Sequence, residues 1–92
     1  MTSLRIPTPL RAYAQGQTEV TVQGATVREA LEDLVSRYPS LRAHLFNGDG
    51  QLRPFVNLFV NEDNVKDLQG LQTAIKDGDR LMLIPSIAGG SV

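Results

Sequence analysis

The end of the sequence holds the residues whose types could do chemistry. Gly89 and Gly90 follow an apolar stretch, and the sequence continues with Ser91 and Val92. Because glycine has no Cβ, this segment can pass through a narrow channel and adopt backbone angles that other residues avoid. The run from Ser86 to Gly90 can reach about 17 Å when extended, enough to enter the cleft of another protein. Glycine-rich ends are also commonly inert, so both interpretations stay open at this point.

Other reactive side chains are few. The sequence has no cysteine, which excludes disulfides, thiolate metal sites and a side-chain sulfur nucleophile. His44 is the only histidine, so a typical zinc site is not expected and His44 is predicted to be a surface or packing residue. Asp77 and Asp79 lie two apart in a predicted turn, without any sign of a cleft for acid–base catalysis. Ser91 has no triad context, and the sequence predicts no metal ligands.

The composition is that of an ordinary globular chain. Ninety-two residues suit one domain, and the net charge is −1 with Lys and Arg scattered along the chain. Nucleic-acid binding is therefore not expected. No apolar run approaches the roughly 20 residues that cross a membrane, and "MTSLRIPTPL" lacks the pattern of a secretory signal. We expect a cytoplasmic protein with a domain at residues 1–85 and a flexible tail at 86–92.

Four segments are predicted to be strands. "SLRIPTPL" is compatible with a strand around Leu4 and Ile6, and its two prolines favour an early or edge position. "TEVTVQG" alternates apolar and polar residues, and should form a hairpin with the first strand. "PFVNLFVNED" is a strong strand pattern, and "RLMLIP" is the last strand before the tail. "NGDG" and "NEDN" are interpreted as turns, since neither has the spacing of a calcium loop.

One main helix is predicted in "GATVREALEDLVSRYPS". Thr26 and Glu29 have the spacing of a capping box, and Pro39 ends the helix. Apolar residues recur at helical spacing along one stripe of this segment. They are Val27, Ala30, Leu31, Leu34, Val35 and Tyr38.

Two further segments are predicted to cover the core. "SLRAHLF" should form a short helical turn that places Leu41 and Leu45 over the end of the core. "KDLQGLQTAI" is irregular, with apolar anchors at Leu68, Leu71 and Ile75.

The order of elements predicts an α+β fold. One helix can cover only one face of a small sheet, so we expect two layers, with the main helix packed across a mixed sheet of about four to five strands. The predicted core residues come from the helix and from alternate positions of the strands. They are Ile6, Val20, Val22, Val27, Leu31, Leu34, Val56, Leu58, Leu81 and Leu83.

This order, ending in Gly89-Gly90, resembles the β-grasp or ubiquitin-like fold, and most of all its sulfur-carrier branch, the family of the thiamin and molybdopterin sulfur carriers. The similar stretches are "RIPTPLR", "GATVREALEDL", "FVNLFVNEDNV" and "AIKDGDRLMLIPSIAGG", which together span nearly the whole chain. Within the branch, the sequence is most similar to the carrier that serves cysteine biosynthesis. Family members usually end at Gly-Gly, and Ser91 and Val92 depart from that pattern.

The resemblance implies a carrier and not an enzyme. Sulfur would be held as a thiocarboxylate on Gly90, after adenylation with ATP by an activating enzyme of the ubiquitin-activating type. The tail residues Ile87, Ala88, Gly89 and Gly90 would enter partner active sites. A sulfur-accepting synthase, which could be one that uses pyridoxal phosphate, would receive the sulfur. No cofactor would be bound by this chain.

Adenylation requires a free carboxylate, and in the encoded chain the Gly90 carbonyl belongs to an amide. The resemblance therefore implies that Gly90–Ser91 is a processing site, cut by a JAMM-type zinc metalloprotease that uses metal-activated water. Three alternatives remain open. The chain could be a protein modifier conjugated through Gly90, the small subunit of molybdopterin synthase, or an interaction module with an inert tail.

A carrier must dock on several enzymes, and an exposed apolar patch beside the tail would suit that role. Phe55, Phe59, Met82 and Ile84 are predicted to form such a patch on the sheet face away from the helix. In the alternative, one of the two strands faces the other way and the phenylalanines belong to the core.

Overall fold

The computed structural model describes residues 2–54 and 56–85, with the side chain of Pro85 left aside. Its strands are numbered in chain order. They are β1 (Thr2–Arg5), β2 (Glu19–Val22), β3 (Val56–Val60), β4 (Asp63–Asn64) and β5 (Arg80–Pro85). They form one mixed sheet in the order β2-β1-β5-β3-β4, in which only β1 and β5 run parallel. Part of "NEDN", expected to be a turn, pairs with β3 as the short strand β4.

The first strand lies inside the sheet. It forms the expected hairpin with β2 and also pairs with β5 on its other side. The alternative of an edge position was therefore wrong. Pro7 and Pro9 come after Arg5, the last residue of β1, and the backbone N–H groups of β1 remain able to pair with both neighbours. The prolines instead stand at the start of a 3₁₀ helix.

The helices cover one face of this sheet. The main helix is α1 (Val27–Arg37), and a shorter helix is α2 (Arg42–Leu45). In the part of the chain that the structure describes, four 3₁₀ helices connect the larger elements. They are Thr8–Ala14, Pro39–Leu41, Val65–Asp67 and Gly70–Gln72. The last two occupy the segment predicted to be irregular.

Helix α1 begins at the predicted cap. The Glu29 amide donates to Thr26 Oγ1 over 3.3 Å. The Glu29 carboxylate reaches back one residue further than a capping box predicts, and accepts from the Ala25 amide at 2.8 Å. At the other end, the Tyr38 amide donates to the Leu34 carbonyl, immediately before Pro39.

The core lies between α1 and the sheet, and the predicted core residues are buried there except one. Val20 is only partly buried, because β2 is an edge strand and its inner face is incompletely covered. Leu41 and Leu45 are fully buried, as expected. Among the predicted anchors of the irregular segment, Leu71 and Ile75 are buried, but Leu68 is 44% exposed because it lies in the turn between two 3₁₀ helices.

The free edge of β2 is covered by an ion pair of α1. The Arg37 guanidinium donates to the Thr21 carbonyl, and the Asp33 carboxylate accepts from the Gln23 amide at 3.0 Å. Arg37 and Asp33 also contact each other at 3.0 Å. An unpaired strand edge is a template for adding another strand. These side chains therefore occupy backbone groups that a second chain would otherwise pair with.

Removing this ion pair should open the edge. In the double variant Asp33→Ala and Arg37→Ala, we expect hydrogen exchange at the Gln23 amide to accelerate about tenfold, because a charge-assisted hydrogen bond is lost. Self-association should also increase with protein concentration in size-exclusion chromatography. The matched control is Glu32→Ala with Arg42→Ala, which removes a 2.8 Å ion pair away from this edge. Equal exchange at Gln23 in both double variants would contradict this role.

Candidate functional site

The predicted tail follows the strand β5. Each side of β5 is hydrogen-bonded to another strand, parallel to β1 and antiparallel to β3, with Pro85 opposite Val56. The pairing with β1 ends at Met82, and from Leu83 to Pro85 the strand pairs with β3 alone. The root of the tail is therefore held in the sheet through β3.

The turn before β5 is held by the carboxylate of Asp79. This carboxylate accepts from the Lys76 amide at 3.0 Å and from the Asn61 side-chain amide at 3.2 Å. Asn61 Oδ1 in turn accepts from the Arg80 amide at 3.1 Å. Asn61 has a φ of 58°, in the left-handed region that asparagine tolerates better than most residues. These bonds join the turn after β3 to the start of β5, so Asp79 has a structural role here.

The sheet face away from α1 carries three of the four residues of the predicted patch. Met82 and Ile84 are 39% and 42% exposed, and Phe59, half-buried, lies directly opposite Met82. The alternation of β3 places Val56 and Leu58 in the core, so Phe59 belongs to the outer face. Phe55 lies outside the described residues. That this face binds partners stays a prediction.

The remaining predicted site residues also lie outside the described part of the chain. They are Ile87, Ala88, Gly89, Gly90 and Ser91. The predicted thiocarboxylate position, the tail and the processing site therefore stay predictions from the sequence.

His44 packs against an aromatic ring. It is half-buried, and its ring centroid lies 4.1 Å from that of Tyr13. Within residues 2–54 and 56–85, no group of three or more His, Cys, Asp or Glu side chains is placed to hold a metal ion. Nor does that part of the chain contain a helix long and apolar enough to cross a membrane.

Two open grooves lie on the outer face of the sheet. The larger has a volume of about 730 Å³ and carries charges of both signs, from Arg5, Glu19, Glu62 and Arg80. The smaller, of about 270 Å³, runs beside the last residues of β5.

We call the smaller groove the basic groove. Arg5, Pro7, Thr8, Arg11 and the stretch 82–84 of β5 line it. Sequence reasoning did not single out the two arginines. The sequence did contain a signal for Arg5, because it follows Leu4 in a strand and neighbouring side chains of a strand point to opposite faces. With Leu4 in the core, Arg5 lies on the outer face. Its position beside β5 depends on the parallel pairing with that strand, which alternation does not reveal.

Comparison with known proteins identifies the family. The model of the ThiS family matches residues 4–90. The chain belongs to the ThiS family. It is 38% identical over 90 residues to the sulfur carrier protein CysO of Mycobacterium tuberculosis, an alignment covering 96% of this chain and 97% of the relative. A second relative is small archaeal modifier protein 3 of Haloferax volcanii, 39% identical over 66 residues, with 72% and 71% of the two chains covered.

Solved structures agree with this assignment. A chain in the crystal structure of the Amycolatopsis orientalis BexX/CysO complex superposes with a TM-score of 0.90 and 38% identity, covering 98% of this ThiS-family chain and all of the other. The predicted β-grasp fold is thereby confirmed, as is the resemblance to the sulfur carrier of cysteine biosynthesis. The two relatives described above are named as a sulfur carrier and a small modifier protein.

Proposed function

We propose that this chain is a sulfur carrier that holds sulfide as a thiocarboxylate on Gly90 and delivers it for the biosynthesis of cysteine or a related metabolite. The observation that carries the proposal is the 38% identity to CysO over nearly the full length of both chains. Two further points support it. The family match extends to Gly90, and the absence of cysteine leaves no side-chain thiol to carry sulfur.

The chemistry would begin with hydrolysis. Water adds across the Gly90–Ser91 amide, which releases Ser91-Val92 and frees the Gly90 carboxylate. This carboxylate then attacks the α-phosphorus of ATP and displaces pyrophosphate, giving an acyl adenylate. Sulfide attacks the acyl carbon and AMP leaves, giving the thiocarboxylate. If a persulfide attacks instead, an acyl disulfide forms, and a thiol then cleaves it to the thiocarboxylate and a mixed disulfide. The thiocarboxylate sulfur finally attacks an electrophilic substrate in a partner enzyme, and water hydrolyses the remaining acyl linkage.

The cofactors of these steps would belong to partner enzymes. ATP would be bound by an activating enzyme of the ubiquitin-activating type, zinc by a JAMM-type protease, and pyridoxal phosphate by the sulfur-accepting synthase. Because β5 is paired within the sheet and leads into the tail, a partner that binds the domain would also position the tail. Phe59, Met82 and Ile84 offer an apolar surface for this docking beside that root.

The mass of the chain isolated from its native cell tests the proposal. We expect a form that ends at Gly90, together with a form in which one carboxylate oxygen is replaced by sulfur. Treatment with iodoacetamide should label the second form, because a thiocarboxylate is nucleophilic and the chain has no cysteine to react instead. A chain found only with Ser91-Val92 attached, in cells grown under sulfur limitation, would refute carriage on Gly90.

A second candidate function is protein modification through Gly90. The 39% identity to small archaeal modifier protein 3 over 66 residues favours it as an alternative use of the same activated carboxylate. Lysine amines in place of sulfide would attack the acyl adenylate or a thioester formed from it. Conjugates whose branched peptides contain the end of this chain on lysine would support modification. If no such conjugates form under conditions that yield the thiocarboxylate, the result contradicts protein modification and supports sulfur carriage only.

A further inference from the structure

The basic groove has a chemical character that the rest of the sheet face lacks. Among the described residues that line it, two are cationic and none is acidic, although the chain as a whole carries a net charge of −1. The larger groove next to it contains Glu19 and Glu62 as well as arginines, so its charges offset one another. The lining residues of the basic groove therefore carry an excess of positive charge near the end of β5, although Arg5 lines both grooves and lies opposite Glu19 in the β1–β2 pair.

The two arginines are available to a ligand in different ways. Arg5 is exposed on the outer face, and within the described residues its guanidinium has no hydrogen bond or ion pair. Arg11 is half-buried, and its Nε donates to the Ile6 carbonyl at 3.1 Å. That bond uses one donor of Arg11 and holds the plane of the guanidinium. A guanidinium held in this way is preorganised for a carboxylate, since less side-chain freedom is lost on binding.

Apolar surface completes the groove. Ile84 and Met82 expose about two fifths of their surface and lie beside the cations, and Thr8 adds a hydroxyl to the rim. A ligand that fits must therefore combine carboxylates with at least one apolar side chain. A free anion would leave the apolar wall uncovered, and a purely apolar segment would leave the arginines without partners.

We propose that the basic groove binds an acidic segment with an apolar side chain, on the activating enzyme that adenylates the tail. The inference rests on the proposed function only in naming that enzyme as the partner. Binding there would seat the partner next to Pro85, so that the following residues enter its active site in a fixed direction. The charges would act on the rate of association and on orientation more than on the chemical step.

The first test needs no enzyme. A short synthetic peptide of alternating glutamate and leucine would be titrated into the labelled protein, and amide chemical shifts recorded by NMR. We expect shifts at Arg5, Thr8 and Ile84, and none with a peptide that has lysine in place of glutamate. The variant Arg5→Gln should weaken binding about fivefold to tenfold. Equal shifts with both peptides, or shifts centred on Glu62 and Arg80, would overturn the proposal.

The matched control is Arg80→Gln. Arg80 is also an exposed arginine on the outer face of β5, but it lies at the opposite end of the strand and lines only the larger groove. Its loss should change peptide affinity by less than about twofold. Glutamine is preferred to glutamate at position 5, because a carboxylate there would face Glu19 across the β1–β2 pair and could destabilise the sheet.

The second test uses the activating enzyme and a chain that ends at Gly90. Arg5→Gln should raise KM for the carrier about fivefold at low salt and leave kcat unchanged, with the difference shrinking as ionic strength rises. Arg80→Gln should leave KM near its original value. An unchanged KM in Arg5→Gln would overturn the proposal that the basic groove binds the enzyme, and it would not bear on sulfur carriage. If the unaltered chain is not adenylated, the result would count against sulfur carriage. The peptide titration would then still test whether the basic groove binds an acidic segment.

Discussion

A chain that ends at Gly90 is expected to form an acyl adenylate with its activating enzyme and ATP, whereas a chain that continues through Val92 is expected to form none. The carboxylate of a terminal Gly90 is an anion that can attack phosphorus, whereas the Gly90 carbonyl in the longer chain is a neutral amide and a far weaker nucleophile. The terminal carboxylate of the longer chain is on Val92, two residues beyond the proposed position. The expected difference in rate is at least about a thousandfold, which corresponds to more than about 4 kcal/mol in activation free energy.

Pyrophosphate release and intact mass measure this difference directly. The control is the full chain incubated first with the candidate metalloprotease, which should restore adenylation in step with the loss of Ser91-Val92. A second control ends the chain at Gly89, so that a carboxylate is present but one residue short of the proposed position. Adenylation of the uncut chain at a rate close to that of the cut chain would show that Ser91 and Val92 do not mask the site.

The second large effect concerns stability. Gly24 connects β2 to α1, and a Cβ placed on it would lie 2.7 Å from the amide nitrogen of Ala30 and 2.7 Å from the Cβ of Glu29. The φ of Gly24, 158°, is also one that other residues rarely adopt. In Gly24→Ala, the first turn of α1 would have to move away from the loop and disturb its cap at Thr26. We expect the free energy of unfolding to fall by about 2 to 3 kcal/mol.

Denaturation by urea, followed by circular dichroism, measures this loss. The matched control is Gly48→Ala, because a Cβ on Gly48 would meet nothing within 4 Å. That variant should change the free energy of unfolding by no more than about 0.5 kcal/mol. Similar denaturation midpoints for the two variants would mean that the contact between Gly24 and α1 does not constrain the fold.

These predictions separate two parts of the chain with different tasks. The domain holds the root of the tail in an interior strand, locks the turn before that strand through Asp79, and covers the free β2 edge with Arg37 and Asp33. The proposed chemistry is confined to Gly90. Substitutions in the domain should therefore act on stability or on partner affinity, and substitutions at Gly90 on the reaction itself.

The sequence by itself determined much of the local structure. Helix α1 was predictable because its cap, its apolar stripe and Pro39 all lie within one short segment. Alternation along β5 predicted that Met82 and Ile84 share one face, but it left open whether Phe59 lies on the same side of the sheet, which the pairing and burial of β3 decided. The absence of cysteine and the presence of Gly89-Gly90 are properties of composition and order alone. The carboxylate chemistry at Gly90 was implied by the resemblance to the sulfur-carrier family, and it stays a prediction.

Only the tertiary structure decided which segments are neighbours. Alternation shows which side chains of one strand share a face, but not which strand lies beside it or how the faces of two strands match. The parallel pairing of β1 with β5 joins residues almost eighty positions apart, and it places the first strand inside the sheet, where the prolines had favoured an early or edge position. The same pairing brings Arg5 and Arg11 beside the root of the tail. Such contacts depend on how the whole chain packs, so no local pattern in the sequence contains them.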